Sequence, residues 1–192
     1  MQMNKRADSS VSLHPLIADR WSPRAYDESA TMSGEDLTAI FEAARWAPSA
    51  FNAQPWKFIL GLRGDENFKL ITSVLVPFNQ EWASRASALV LTNVIGFREE
   101  GTENQTAMYD TGLAVSLMTV EANHRGYDVH QMSGFDHSAA KSKFPLGAGI
   151  DPVTCIAIGK RTSPDSLSDE IKAREVAPRS RKPLDEIVNI TW

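Results

Sequence analysis

The chain has 192 residues, of which 42% are hydrophobic and 23% charged, an ordinary composition for a globular protein of one or two small domains. A formal net charge of −4 argues against nucleic acid or an anionic membrane as a partner of the whole surface. A single cysteine, Cys155, excludes an internal disulfide and is interpreted as a small core residue. The polar N-terminus and the lack of a bilayer-length apolar segment predict a cytoplasmic protein.

The predicted helices follow apolar residues at helical spacing. Ser33 is positioned to cap a helix that Pro48 stops. The longest predicted helix covers residues 104–125, and Gly126 is its natural terminator. Shorter helices are predicted at residues 14–19, 66–74, 81–86 and 136–144.

Short apolar runs predict four strands, at residues 56–62, 88–96, 127–132 and 153–160. This order is mixed and lacks the regular strand–helix alternation of a doubly wound fold. Beyond residue 161 the chain is polar and rich in proline, so it is predicted to add little to its own core. We expect residues 161–192 to lie along another surface, such as a second subunit.

Three segments carry side chains suited to binding a cofactor. In the first, Arg20, Ser22 and Arg24 alternate, so an extended chain directs two guanidinium groups and a hydroxyl to one side, an arrangement that suits a phosphate. A solvated basic turn is the alternative. The third, residues 179–182, holds three positive charges in four residues, a pattern that is usually a solvated tail.

The second segment is the loop between the first long helix and the first strand. Prolines fix both of its ends, and its small residues would let a flat ring approach the backbone. Asn52 and Gln54 offer amides, which meet both donors and acceptors on the edge of a heterocycle. An ordinary loop with a tryptophan anchor is the alternative.

The sequence lacks the motifs that several other kinds of binding site require. The sequence contains no glycine-rich dinucleotide fingerprint and no phosphate-binding P-loop. Its four histidines show no partner at metal-ligand spacing, so no metal site is predicted. An organic cofactor is the expected source of any chemistry.

Together, and in this order, the three segments resemble the nitroreductase family of flavoproteins, and the resemblance covers nearly the whole chain. The family's marks are Arg-x-Ser-x-Arg at residues 20–24, Pro-Ser-x-x-Asn-x-Gln-Pro-Trp at 48–56 and Arg-x-Arg at 179–181. The resemblance implies one α+β domain, a three-layer α/β/α sandwich with a mixed central sheet. It also implies an interlocked homodimer in which residues 161–192 embrace the partner.

The resemblance further implies non-covalent FMN at the dimer interface. The phosphate and the pyrimidine side would be held by Arg20, Ser22, Arg24, Arg179 and Arg181. The dimethylbenzene side would be lined from the other subunit by the loop residues Pro48, Ser49, Ala50 and Asn52, and Gln54 of the same loop would also bind the cofactor. Asn79 would meet the polar edge of the ring, and Ser133 and Gly134 would pass its other face. The Gly134 backbone N–H would lie near N5, and no dedicated catalytic side chain is expected.

The implied activity is hydride transfer from NAD(P)H through FMN to a small electron-poor acceptor, a nitroaromatic compound, a quinone or a similar molecule, by a ping-pong mechanism. Two features depart from the family pattern: only residues 98–105 fill the space where larger relatives carry roofing helices, and Ala50 stands where relatives commonly have serine. The alternatives are a specialised member, such as a reductive dehalogenase or an enoyl or aldehyde reductase, a non-catalytic FMN-binding module, and a protein that binds another phosphorylated ligand.

Overall fold

The computed structural model of the chain describes residues 5–98 and 100–189 and is built around one four-stranded sheet. In spatial order the strands are β1 (Trp56–Leu62), β2 (Ala88–Ile95), β4 (Ile150–Gly159) and β3 (Asp128–Met132). Every neighbouring pair is antiparallel, so the described sheet is not the mixed sheet that we expected. The consecutive strands β1 and β2 are antiparallel neighbours, so the connection between them stays at one end of the sheet. The same holds for β3 and β4.

Helices cover both faces of the sheet, which confirms the three-layer α+β sandwich. On one face lie α2 (Gly34–Arg45) and α5 (Ala107–His124), whose core cluster includes Val90 of β2. On the other face lie α3 (Glu66–Val74), α4 (Pro77–Ala83) and α6 (His137–Lys143). The core there includes Leu89 and Leu91, because successive strand residues point to opposite faces.

The central strands are buried, as their apolar sequences predict. In β2 even Asn93 is inaccessible to solvent, and its side-chain amide donates to the carbonyl oxygens of Lys57 and Leu91. Cys155 of β4 is also buried, and burial raises the pKa of its thiol to about 12. A thiol with that pKa stays protonated at neutral pH and behaves as a small core residue.

Local capping fixes where several helices begin. The Ser33 hydroxyl accepts the Asp36 N–H at 3.0 Å at the start of α2, and the Asp65 carboxylate accepts the Phe68 N–H at 2.7 Å at the start of α3. α4 begins at Pro77, earlier than the predicted residue 81. A proline in the first turn needs no hydrogen bond for its nitrogen, so it suits a helix start.

The segment after residue 161 contributes to its own core, contrary to the prediction. It forms α7 (Asp169–Val176), and Ile171 and the preceding Leu167 join the buried cluster on the α3 side of the sheet. Glu175 of α7 is buried as well, and its carboxylate accepts the backbone N–H groups of Arg24 and Ala25, which ties the helix to the rest of the chain. Residues 181–189 are exposed, so an embrace of the partner remains a prediction for that stretch.

Candidate functional site

The segment of residues 20–24 follows a short helix, α1 (Pro15–Ala18), and runs beside the sheet. The Pro23 carbonyl lies 2.9 Å from Nδ1 of His130 in β3, and Tyr26 pairs with Arg161 beyond the end of β4. Arg20 donates to the Ser22 hydroxyl at 3.4 Å, so these two side chains lie on the same side, as their alternation predicts.

Arg20 meets the C-terminal arginines, although they are distant in sequence. Burial lowers the pKa of the Arg20 guanidinium, and the nearby charges of Arg179 and Arg181 lower it further. Arg179 is anchored there because its guanidinium donates to the Ala18 carbonyl at 3.1 Å and to the Lys5 carbonyl. We call Arg20, Arg179 and Arg181 the arginine cluster.

The arginine cluster lacks compensating negative charge. Within the described residues none of its three members forms an ion pair, although Asp19 is near enough to raise the pKa of Arg179. Concentrated and partly buried positive charge attracts anions, and guanidinium groups bind phosphate through parallel hydrogen bonds. The cluster is therefore a candidate phosphate site.

Arg24 does not join this cluster. Its guanidinium lies 3.8 Å from the carboxylate of Glu175 in α7, which also accepts the backbone N–H groups of Arg24 and Ala25. The Arg24 guanidinium carbon is 6.0 Å from the centre of the Trp82 ring, and its Nε is buried without a partner in the described part of the chain. Glu175 compensates much of its charge, so contact between Arg24 and the flavin remains a prediction.

Sequence reasoning missed three residues that shape this region. Lys5 approaches the arginine cluster, with its Nζ 4.9 Å from the Trp21 ring centre, but in sequence it belongs to a polar arm. Glu175, only 1% exposed, sits in a polar helix that we did not predict. His130 packs against Trp82 with 4.5 Å between ring centres, and no motif marks it.

The loop after α2 is held in an unusual conformation. Phe51, Asn52 and Gln54 have φ angles of 55°, 57° and 46°, in the left-handed region that residues with a side chain rarely adopt. The Ala50 N–H donates to the Asp110 carboxylate of α5 at 3.1 Å, and the Gln54 N–H donates to the Ser49 hydroxyl at 3.0 Å. Left-handed residues cost roughly 1–2 kcal/mol each and concentrate at functional sites.

This loop faces away from its own core. Its exposed members include Pro48, Asn52 and Gln54, whereas Ser49 and Ala50 are half-buried. The Asn52 side chain makes no hydrogen bond with the residues that the structure describes, so its amide is available to a ligand or a partner.

Gly134 follows β3 and lies where the backbone packs closely against the segment between α3 and α4. Its carbonyl accepts the Val76 N–H at 3.1 Å and the side-chain amide of Asn79 at 3.0 Å. A Cβ at this position would lie 2.7 Å from that amide nitrogen, so a side chain here would displace the Asn79 amide. The Gly134 N–H has no acceptor among residues 5–98 and 100–189, and the neighbouring Ser133 is exposed. The structure therefore brings Asn79 and Gly134 together and leaves one backbone donor open.

The predicted residues line two different cavities of one subunit. Arg20 and Ser22 open onto a cleft of about 460 Å³ between α1, α5 and β3, where Gln131 also lies. Asn52 and Gln54 line another cavity of about 550 Å³ beside the end of β2. The loop and Arg20 thus contribute to separate openings of the monomer.

The outward face of α5 is apolar. Met108, Tyr109 and Leu117 are exposed there, with Tyr109 at 70%, and the small residues Gly112 and Ser116 lie between them. A helix that is apolar on all sides is normally buried on all sides.

In the described residues no helix is long and apolar enough to cross a membrane, and no group of three or more histidine, cysteine, aspartate or glutamate side chains is placed to hold a metal ion.

Comparison with known proteins places the chain in a family. The nitroreductase family model matches residues 17–73. A 15.4 kDa protein from the ask 5′ region of Mycolicibacterium smegmatis is 32% identical over 142 residues, which cover 68% of this chain and 92% of that protein. The oxygen-insensitive NADPH nitroreductase of Helicobacter acinonychis is 36% identical over 76 residues, covering 40% of this chain and 35% of that enzyme.

A solved structure agrees over nearly the full length. The crystal structure described as an oxidoreductase containing FMN superposes with a TM-score of 0.90 and 34% identity, covering 98% of this chain and 96% of that one. The three motifs lie within the matched length, and the α+β sandwich that they predicted is present. The chain therefore belongs to the nitroreductase family.

Proposed function

We propose that the chain is an FMN-dependent oxidoreductase that passes hydride from NAD(P)H to a small electron-poor acceptor, such as a nitroaromatic compound or a quinone. The observation that carries the proposal is the arginine cluster, three guanidinium groups that the fold gathers without an ion-pair partner in the described chain. A phosphate monoester with between one and two negative charges is the ligand that such a cluster would take.

The residues present fit FMN in two further ways. The Gly134 N–H, which has no acceptor among the described residues, is a donor for an acceptor atom at the edge of a flat ring. The Ser133 carbonyl, which shares a peptide group with this donor, accepts the Phe135 N–H at 3.1 Å, and Asn79 holds the carbonyl of the next peptide, so the backbone around the donor is held in place. Bound FMN would supply the hydride chemistry. The protein would supply binding, orientation and positive charge beside the ring.

We further propose that the protein works as a cytoplasmic homodimer. The exposed apolar face of α5 supports a subunit contact, and the strained loop and Arg20 of the arginine cluster line separate cavities of one monomer. Pairing two copies would let residues 48–54 of one subunit complete the site of the other. Residues 181–189 would lie along the partner, since they are exposed.

FMN retention tests the assignment of the arginine cluster. Arg181→Ala should weaken FMN binding by roughly 10- to 100-fold, because one charge-assisted hydrogen bond contributes about 1.5–3 kcal/mol. The matched control is Lys182→Ala, which removes an adjacent exposed cation that pairs with Glu186. Flavin content is read from absorbance after gel filtration, with FMN distinguished from FAD on denaturation. Equal flavin content in both variants would contradict the assignment.

Turnover separates an enzyme from a non-catalytic flavin module. Anaerobic mixing with NADH or NADPH should bleach the flavin absorbance, and a nitroaromatic compound or a quinone should then restore it. A yellow protein that neither dinucleotide bleaches would be a binding module. Reoxidation by halogenated or unsaturated carbonyl compounds alone would indicate a specialised reductase.

A further inference from the structure

The cavity of about 550 Å³ beside the strained loop has both apolar and polar walls, and it contains a cation, Arg98, that forms no ion pair within the described residues. The loop forms one side of it, and the chain that follows β2 forms the other. Its apolar lining comes from Phe51, Pro55, Ile95 and Phe97. Its polar lining comes from Asn52, Gln54, Asn104, Arg98 and Glu100, so the cavity offers a small organic ligand both an apolar surface and hydrogen-bonding groups.

A short hairpin after β2 supplies the cation. Phe97 pairs with Glu103, the Arg98 N–H donates to the Thr102 carbonyl at 2.8 Å, and Gly101 makes the turn with a φ of +84°. The hairpin is held against the end of β4, where a Cβ on Gly149 would lie 2.8 Å from the Phe97 ring. Arg98 is therefore presented from a fixed backbone.

Arg98 stacks on Phe51 and keeps its hydrogen-bonding capacity. Its guanidinium carbon lies 4.6 Å from the centre of the Phe51 ring, which is 88% exposed. The Arg98 Nε is buried and unpartnered, and within the described residues Arg98 forms no ion pair. A guanidinium stacked on a ring still directs its N–H groups outward in the ring plane, where they bind a carboxylate in a fork.

Glu100 is the acidic residue of the same cavity. The pKa of its carboxyl is lowered chiefly by its own backbone N–H, then by a hydrogen bond from the Thr102 hydroxyl at 2.9 Å, and to a smaller extent by the nearby charge of Arg98. It forms no ion pair with Arg98 in the described chain, so it does not occupy the guanidinium fork. Its negative charge would oppose a bound anion.

We propose that this cavity is the acceptor site and that Arg98 makes it selective for aromatic acceptors that carry a carboxylate or a similar anionic substituent. This inference rests on the proposed function, because it names the substrate class of the same reaction. The apolar lining would contact the aromatic ring, and the Arg98 fork would bind the anion. Asn52 and Gln54, which belong to the predicted flavin-contacting loop, also line this cavity and so connect it with the proposed cofactor site.

A pair of acceptors that differ only in charge tests the proposal on the purified holoenzyme. The ratio of kcat/KM for 4-nitrobenzoate to that for 4-nitrobenzamide should fall about tenfold in Arg98→Gln, the factor expected when a charge-assisted hydrogen bond is lost. The ratio should rise in Glu100→Gln, which removes the opposing charge. Lys69→Gln removes an exposed cation of α3 and should leave the ratio unchanged. An unchanged ratio in Arg98→Gln would overturn the proposal.

Binding of an unreactive probe gives a second readout. Calorimetric titration with benzoate should show about tenfold weaker binding to Arg98→Gln than to the wild-type protein. Equal benzoate affinities would overturn the anion site. The proposal would also be overturned if Arg98→Gln changed only the preference for NADPH over NADH. That result would mean that Arg98 binds the extra phosphate of NADPH. Failure of the proposed function can be distinguished from failure of the anion site. If the proposed function were wrong, neither nitro compound would oxidise NAD(P)H, whereas the benzoate titration would still measure binding at the anion site.

Discussion

His130 is the buried histidine whose ionisation the fold suppresses. Its Nδ1 lies 2.9 Å from the Pro23 carbonyl, and since a carbonyl only accepts, the ring proton resides on Nδ1. Burial lowers the pKa of the imidazole to about 4, and the positive charges of Arg24 and Arg20 act in the same direction. The ring is therefore neutral at pH 7 and acts as a packing partner of Trp82.

The free energy of unfolding should decrease in acid because of His130. Its folded pKa of about 4 lies below its ordinary value of 6.5, so between these values the unfolded chain binds a proton that the folded chain does not. Lowering the pH from 7.5 to 5.0 should remove about 2 kcal/mol of stability through this residue. Urea denaturation of the wild-type protein and of His130→Phe, which keeps a ring against Trp82, measures the difference.

The comparison with His130→Phe also removes the effect of other titrating groups. Burial raises the pKa of the Glu175 carboxyl, so its contribution to stability declines as the pH rises through that pKa, the opposite direction. Both proteins contain Glu175, so its contribution cancels. Parallel pH profiles for the two proteins would refute the role assigned to His130.

At the residue scale, sequence patterns predicted the side of the chain on which a side chain lies better than they predicted the residues that it contacts. The alternation of Arg20 and Ser22 correctly placed both side chains on one side. The ion pair of Arg24 with Glu175 joins residues about 150 positions apart, and no local pattern records such a contact. Lys5 was missed for the same reason, since its burial depends on Trp21 and on the segment around Ala177.

Among the elements, those with local signals were predicted best. β1 and α3 match their predicted bounds to the residue, because proline, glycine and a capping aspartate mark their ends. α7 was missed because only Ile171 and Glu175 of its eight residues are buried, which leaves no apolar periodicity to detect. The strained loop was recognised by its composition, but its three left-handed residues are not glycines and carry no sequence signal.

The strain in this loop should be measurable by comparing two variants of Phe51. Phe51→Gly and Phe51→Ala both remove the ring that stacks on Arg98, but only glycine adopts a φ of 55° without steric cost. We expect Phe51→Gly to be about 1 kcal/mol more stable than Phe51→Ala, because the relief of strain exceeds the entropy that glycine adds to the unfolded chain. Urea denaturation gives both values, and equal stabilities would mean that the loop relaxes freely.

At the scale of the whole molecule, the exposed face of α5 determines the assembly that we propose. Leu117→Glu should convert the dimer into monomers, because a charge at the centre of an apolar contact is buried without a partner. Sedimentation velocity would distinguish a species of 21.2 kDa from one of twice that mass.

The matched control for the assembly is Ser73→Glu, which adds the same charge to an exposed position of α3. It should remain dimeric and keep its flavin, whereas Leu117→Glu should lose flavin together with its partner. A wild-type protein that sediments as a monomer while holding FMN would contradict a site shared between subunits.

The bond from Arg179 to the Lys5 carbonyl has a consequence for biosynthesis. The ribosome releases the N-terminal arm and the whole sheet before the segment that carries Arg179 and Arg181. A nascent chain can therefore complete its hydrophobic core first, and its phosphate-binding group forms only when the segment around Arg179 docks against the segment around Lys5. Cofactor capture would then require residues 179–181, and a chain stalled before residue 179 would be folded but colourless.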